Sequence, residues 1–166
     1  RFGFDSSAHD PAWLPDGSGL IFAAIRGQMV GVFRRRFDGG PKADSIFVGG
    51  QQISAHTVTP DGRTAVAASL ERGQFDLVSV SLDGGGRLDT LAGSSYAEDF
   101  PALSPDGRWL AYVSEESGRN EVYVRSFPGF GAKIQVSQDG GSEPVWARSG
   151  RELFYKSGGL QEAGLV

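Results

Sequence analysis

Ser104-Pro105-Asp106-Gly107-Arg108-Trp109-Leu110-Ala111-Tyr112-Val113-Ser114 decides how the rest of the chain is read. Proline pre-sets φ near −65° at the second position of a β-turn, and glycine tolerates the left-handed conformation at the fourth. Ser104 through Gly107 therefore predicts a hairpin turn. The apolar, β-branched and aromatic run that follows predicts a strand over Trp109–Ser114. The tetrapeptide recurs as Leu14-Pro15-Asp16-Gly17, as Thr59-Pro60-Asp61-Gly62 and, degraded, as Ala147-Arg148-Ser149-Gly150. Its glycines stand at 17, 62, 107 and 150, a period of 45, 45 and 43 residues.

Around each glycine the columns agree. A large apolar residue lies four positions earlier (Trp13, Val58, Leu103, Trp146), and an apolar block begins three later at Leu20, Ala65, Leu110 and Leu153. In the third repeat, strands are expected at Phe100–Leu103, Trp109–Ser114, Glu121–Ser126 and Lys133–Ser137. In the second they are expected at Thr64–Ser69, Asp76–Leu82 and Leu88–Leu91, with Asp83-Gly84-Gly85-Gly86 as the last turn. Four short strands per 43–45 residues, apolar on both faces, match a β-propeller blade, in which neighbouring sheets cover each other. Helical solenoids of similar period are excluded, because runs such as Glu121-Val122-Tyr123-Val124 stand where amphipathic helices would be needed. The repeated aromatics Trp13, Trp109, Tyr112, Tyr123, Trp146, Phe154 and Tyr155 read as core between blades, with the residues four before each glycine buried in equivalent places.

Composition agrees. Of 166 residues, 25 are glycine, about twice the usual share, and they are spread between the apolar blocks as turn punctuation. Sixteen Lys and Arg against 20 Asp and Glu give a net charge of −4, which argues against a nucleic-acid footprint. The apolar blocks are far shorter than the roughly 20 residues of a membrane span. With no cysteine, disulfide frameworks, thiolate zinc sites and cysteine nucleophiles are excluded. Arg34-Arg35-Arg36 is too short a basic run to mark anionic lipid or nucleic acid, and reads as a solvated outer strand.

The repeats resemble the TolB-type propellers, whose blades carry a Pro-x-Trp-Ser-Pro-Asp-Gly motif before an apolar strand. Ser104–Ser114, Ser117–Gly129, Gly141–Trp146 and Arg151–Tyr155 are most similar to the propellers appended to bacterial serine/threonine protein kinases. That resemblance implies a module outside the membrane, C-terminal to a kinase and a single spanning helix. Departures occur at Arg148-Ser149, which replaces Pro-Asp, and at Val58, where Trp is usual. Family propellers commonly carry more blades than 166 residues can build. The expected fold class is therefore an all-β, partial β-propeller of four-stranded antiparallel blades. Residues 1–5 would end a preceding blade, 6–53, 54–97 and 98–141 would be whole blades, and 142–166 would begin another.

No catalytic signature is present: there is no Gly-x-Ser-x-Gly elbow, His-Glu-x-x-His pair, phosphate loop or EF-hand spacing, so no catalytic residue, metal site or cofactor is expected. Asp16, Asp61 and Asp106 are explained by turn chemistry. Pro15, Pro60, Pro105 and the four turn glycines, Gly17, Gly62, Gly107 and Gly150, are structural for the same reason. His9, Asp10, His56, Glu98, Asp99 and Glu143 fall where the innermost strands begin, with Asp10, Ala55, Phe100 and Glu143 in one column. His9, Asp10, His56, Asp99 and Glu143 are the expected binding rim at the channel mouth, for a cation, a basic peptide end or a small ligand; ordinary solvated loop ends are the alternative. Partners would be a protein, a peptide or the remaining blades of the parent protein, with no nucleic acid. Three functions remain open: a non-enzymatic sensor or interaction module of a kinase, a free-standing periplasmic TolB-like scaffold, or the gating propeller of a prolyl-oligopeptidase-type hydrolase whose catalytic domain lies elsewhere.

Overall fold

The computed structural model describes residues 8–39, 42–83 and 85–157. The expected strand at Arg1–Asp5, the loss of pattern after Gly159 and Gly84 of the last second-repeat turn lie outside them. The first sheet comprises β1 (Ala8–Trp13), β2 (Gly19–Arg26), β3 (Met29–Arg36) and β4 (Asp44–Gly49). The second comprises β5 (Ile53–Val58), β6 (Thr64–Glu71), β7 (Gln74–Ser81) and β8 (Leu88–Ala92), and the third β9 (Glu98–Leu103), β10 (Trp109–Ser114), β11 (Glu121–Ser126) and β12 (Lys133–Gln135). A hairpin of β13 (Gly141–Trp146) and β14 (Leu153–Ser157) ends the described chain. Every pairing is antiparallel and sequential, so each sheet is a meander with its first strand at one edge. No helix occurs among the described residues, and none is long and apolar enough to cross a membrane. The chain is an all-β partial propeller with three four-stranded blades and part of a fourth.

The sheets stack in sequence order, β5 on β1, β9 on β5 and β6, and β13 on β9 and β10. Ile21, Val32 and Ile46 of the first blade pack against Ile53, Ala65, Ala67, Val78 and Val80 of the second. On the opposite face of the second blade, Val66 and Leu77 meet Leu103, Leu110, Tyr112 and Tyr123 of the third. Residues adjacent in one strand, such as Ala65 and Val66, therefore serve two different cores. Each large side chain so buried contributes roughly 1.5–3 kcal/mol. Only the outermost strand escapes: all three residues of β12 are exposed, and it stops at Gln135, short of the expected Ser137. Ser137 instead turns inward, where its hydroxyl accepts a 2.7 Å bond from the Val122 N–H.

The turns close as their residues require. Gly17, Gly62, Gly107 and Gly150 have φ of 69°, 71°, 68° and 68°, and each donates its N–H to the first carbonyl of its turn at 2.8–3.0 Å. Asp106 accepts from the Ser104 hydroxyl at 2.6 Å and from the Arg108 N–H at 3.0 Å, and these bonds hold its carboxyl down at about 2. In the degraded fourth turn the Ser149 hydroxyl takes that place, accepting from the Arg151 N–H at 3.3 Å. The turns also touch one another. A Cβ built on Gly107 would lie 2.8 Å from Pro60 Cδ, one on Gly150 3.6 Å from Pro105 Cδ, and one on Gly62 4.0 Å from Pro15 Cδ.

A second 45-residue repetition fastens the blade connections. Glu121 is fully buried and accepts from Arg119 Nε at 2.7 Å, from the Gly140 N–H at 2.9 Å and from the Ser137 hydroxyl. Burial alone would raise this carboxyl, but the three donors outweigh it and hold it below the usual range. Arg119 also reaches the Gln138 carbonyl. In the second blade Gln74 does the same work, donating to Asp76 at 3.2 Å and to the Ser94 carbonyl at 2.9 Å.

Several expected core positions differ. Leu103 is buried and Val58 and Trp146 are half-buried, but Trp13 is 68% exposed, on a blade face that no other described sheet covers, and rests edge-on against Phe37 at 5.7 Å. Trp109, at the turn end of β10, is also exposed, and Phe154 and Tyr155 are half-buried. Tyr112 and Tyr123 alone of the aromatic set are fully in the core. The three arginines lie on the third strand of the blade, where Arg34 donates to the Leu82 carbonyl of the next blade at 3.2 Å, so they are not merely solvated.

Gly107→Ala and Gly17→Ala place the same methyl group in the same backbone conformation, but a Cβ at Gly17 meets nothing within 4 Å. Both substitutions are expected to cost about 1–2 kcal/mol for the left-handed conformation. Gly107→Ala should cost measurably more, because Pro60 must move. Urea midpoints of the two variants check this.

Candidate functional site

The dipeptides Asp10-Pro11, Phe100-Pro101 and Glu143-Pro144 sit seven and six residues before their turn glycines, in β1, β9 and β13. Proline cannot donate to a ladder, so it is tolerated only on an edge strand or at a bulge. Here it is at both. The register slips between His9 and Ala12, between Asp99 and Ala102, and between Ser142 and Val145, so that two residues oppose one. Asp10, Phe100 and Glu143 have φ of 52°, 53° and 51°, left-handed values that side chains resist at roughly 1–2 kcal/mol each. The second blade bulges at Ala55-His56, with no proline and no residue of positive φ.

These bulges shape the channel side of the inner strands. His56 Nε2 lies 3.5 Å from Asp99 Oδ1 of the next blade, within ion-pair reach but without hydrogen-bond geometry. Asp99 Oδ1 accepts the Phe100 N–H at 2.7 Å, and the Phe100 ring stands edge-on to the His56 ring at 5.8 Å. Glu143 accepts from Lys156 Nζ at 2.6 Å. His56, Phe100, Pro101, Glu143, Trp146 and Arg148 are among the residues lining a groove of about 420 Å³. A neighbouring groove of about 510 Å³ continues past His56, Leu103 and Pro105 to Trp13.

The five expected rim residues are therefore not one cluster. His56 and Glu143 share the groove and Asp99 braces His56 from behind. His9 lines a separate recess of about 290 Å³ with Pro11, Leu20 and Phe22, its Nδ1 held 2.7 Å from Asp10 Oδ2. Glu98 is not on a rim at all, being 3% exposed. Among the described residues no three His, Asp or Glu side chains converge as metal ligands. Phe100, Trp146 and Arg148 are groove residues that the expected rim omitted. The recurrent X-Pro dipeptide could have marked the first, and the replacement of proline in the fourth turn the last.

The profile of the TolB beta propeller domain matches residues 4–157. The chain belongs to the TolB beta-propeller family. No curated protein matches it closely. Among solved structures it is similar to TolB from Acinetobacter baumannii (TM-score 0.78, 14% identity, 90% of this chain and 37% of that one). It is also similar to a putative TolB from Agrobacterium tumefaciens (TM-score 0.74, 18% identity, 91% and 54%). A puromycin-hydrolyzing peptidase of Mycobacterium tuberculosis shares the fold as well (TM-score 0.69, 18% identity, 92% and 26%). The chain spans between about a quarter and about half the length of these proteins.

Within this TolB-type propeller, Glu98 occupies the column of Ile53, at the joint between second and third blades. Its Oε2 and the Tyr112 hydroxyl have no hydrogen-bond partner among the described residues. Burial raises the Glu98 carboxyl above the usual carboxylate range, and nearby Asp76 adds to this, against the pull of Ser94, Lys133 and Arg125. An acid raised in the fold contributes stability below its unfolded value of about 4.3 that is lost as pH rises through the raised value. Glu98→Gln is expected to flatten the fall in urea midpoint as pH rises above the ordinary carboxylate range, without lowering the midpoint at neutral pH.

The strain at Phe100 makes a separate expectation. In an ordinary strand alanine is better than glycine by roughly 0.5–1 kcal/mol. At Phe100 the order should invert, Phe100→Gly being more stable than Phe100→Ala by about 1 kcal/mol, because only alanine keeps the left-handed cost. Chemical denaturation of the pair measures the difference.

Proposed function

We propose that the chain is a non-catalytic module that senses a ligand or grips a protein partner along the channel side of its inner strands. The observation that carries this is the set of three X-Pro bulges in register. Each spends backbone strain at the edge of its sheet, and the one in the third blade strains to hold a large exposed ring, Phe100, beside His56 in the groove. Strain that packing does not need marks positions kept for contact. The module serves as the extracytoplasmic part of a bacterial serine/threonine protein kinase, a reading supported by the resemblance of Ser104–Ser114, Ser117–Gly129 and Arg151–Tyr155 to kinase-attached propellers. A second reading, the gating propeller of a hydrolase, draws on the likeness to the mycobacterial peptidase. In both, the chemistry belongs to another domain and this chain supplies recognition.

The test is a random-peptide display library selected on the immobilised chain, with Phe100→Gly as counter-target. Peptides retained by the parent chain and released by the variant are expected, with no turnover of peptide or ester substrates. Enriched peptides that bind both proteins equally, or turnover by the purified chain, would overturn the reading.

A further inference from the structure

Arg148 stands where the first three turns carry Pro15, Pro60 and Pro105. In those turns the proline lies against the glycine of the next turn, an apolar contact with no charge. Arg148 is exposed, lines the groove between the third and fourth blades, and makes no hydrogen bond or ion pair with another described residue. The other ionisable side chains of that groove already face partners: Glu143 is bound by Lys156 at 2.6 Å, and His56 lies 3.5 Å from Asp99. Among the described residues the guanidinium of Arg148 is thus the uncompensated charge of the groove.

The surface beside it is apolar and presented outward. Phe100 is 39% exposed. The Trp146 indole is fixed by a 3.0 Å bond from its Nε1 to the Ala102 carbonyl. Pro101 and Pro144 remove N–H donors from the inner strands at this point, so an incoming segment cannot simply extend the sheet by backbone pairing. Recognition must come from side chains.

We infer that this groove docks an acidic segment of a protein partner, which lays an apolar side chain over Phe100 and sets a carboxylate on Arg148. The inference rests on the reading that partners dock along the inner strands. A planar guanidinium suits a carboxylate because it can donate two parallel hydrogen bonds to it. The chain's net charge of −4 gives an acidic segment no long-range attraction, so the acid is selected at short range, at Arg148 itself.

The same display library, selected in parallel on the parent chain and on Arg148→Glu, tests this. Peptides from the parent are expected to carry Asp or Glu near an aromatic or aliphatic residue, and those from the variant to carry Lys or Arg instead. A synthetic peptide from the first set should lose about tenfold in affinity on Arg148→Ala. Replacing its acid by the amide should cost the same, and both changes together little more than either, with the parent affinity falling as salt is added. Melting temperatures of the Arg148 variants should match the parent, since the side chain is exposed and makes no hydrogen bond or ion pair with another described residue. Hits that depend on Phe100 but show no acidic enrichment and no response to Arg148→Ala overturn this inference and leave inner-strand docking standing. A library without Phe100-dependent hits overturns both.

Discussion

A sheet that is apolar on both faces has no stable existence by itself, and this requirement organises the molecule. Burying Ile21 and Val32 takes the second sheet, and burying Val66 and Leu77 on its far face takes the third. Alternation along a strand then divides residues between two neighbours instead of between core and water. Spacing between sheets must stay constant for this to repeat. The fixed distance between Pro-Asp-Gly turns, and the contact of each turn's proline with the next turn's glycine, keep it so at one end. At the connections between blades, Gln74 with Asp76 and Arg119 with Glu121 tie each linking loop to the third strand of the blade it leaves.

What could be read from the chain follows from the range of the interaction concerned. A Pro-Asp-Gly turn is determined within four residues, so the turns at Gly17, Gly62 and Gly107 are legible without knowledge of anything distant. The degraded fourth turn survives because a serine hydroxyl can replace the carboxylate that caps the next N–H. Burial is a property of neighbours, and here the columns misled. Trp13 and Leu103 occupy one column, yet the first is exposed and the second buried, because a sheet covers one and none of the described sheets covers the other. Glu98 falls where an innermost strand begins, but its column is that of Ile53, and column outweighs chemistry in a stacked sheet. The Glu121 clasp was invisible for the opposite reason: its donors, Arg119, Ser137 and Gly140, come from separated positions that only the folded blade collects.

The inner edge strands carry two demands that meet in one device. An unpaired edge invites a further strand, and proline is a direct means of refusing it. Pro11, Pro101 and Pro144 therefore protect β1, β9 and β13 from indiscriminate pairing. The bulge that accommodates each proline forces the preceding residue into a left-handed conformation and re-aims its side chain. Protection of the edge and display of Asp10, Phe100 and Glu143 thus arise from the same two residues. The second blade, with Ala55-His56 and no proline, lacks the strain, and its bulged His56 is steadied across the blade boundary by Asp99 and Phe100. Under the proposed docking, an edge that refuses backbone pairing but presents ring, imidazole and guanidinium side by side discriminates by side chain. The second and third blades are held rigid by two-sided burial, so in the proposed docking His56 and Phe100 keep their positions with little conformational entropy left to lose when a partner arrives.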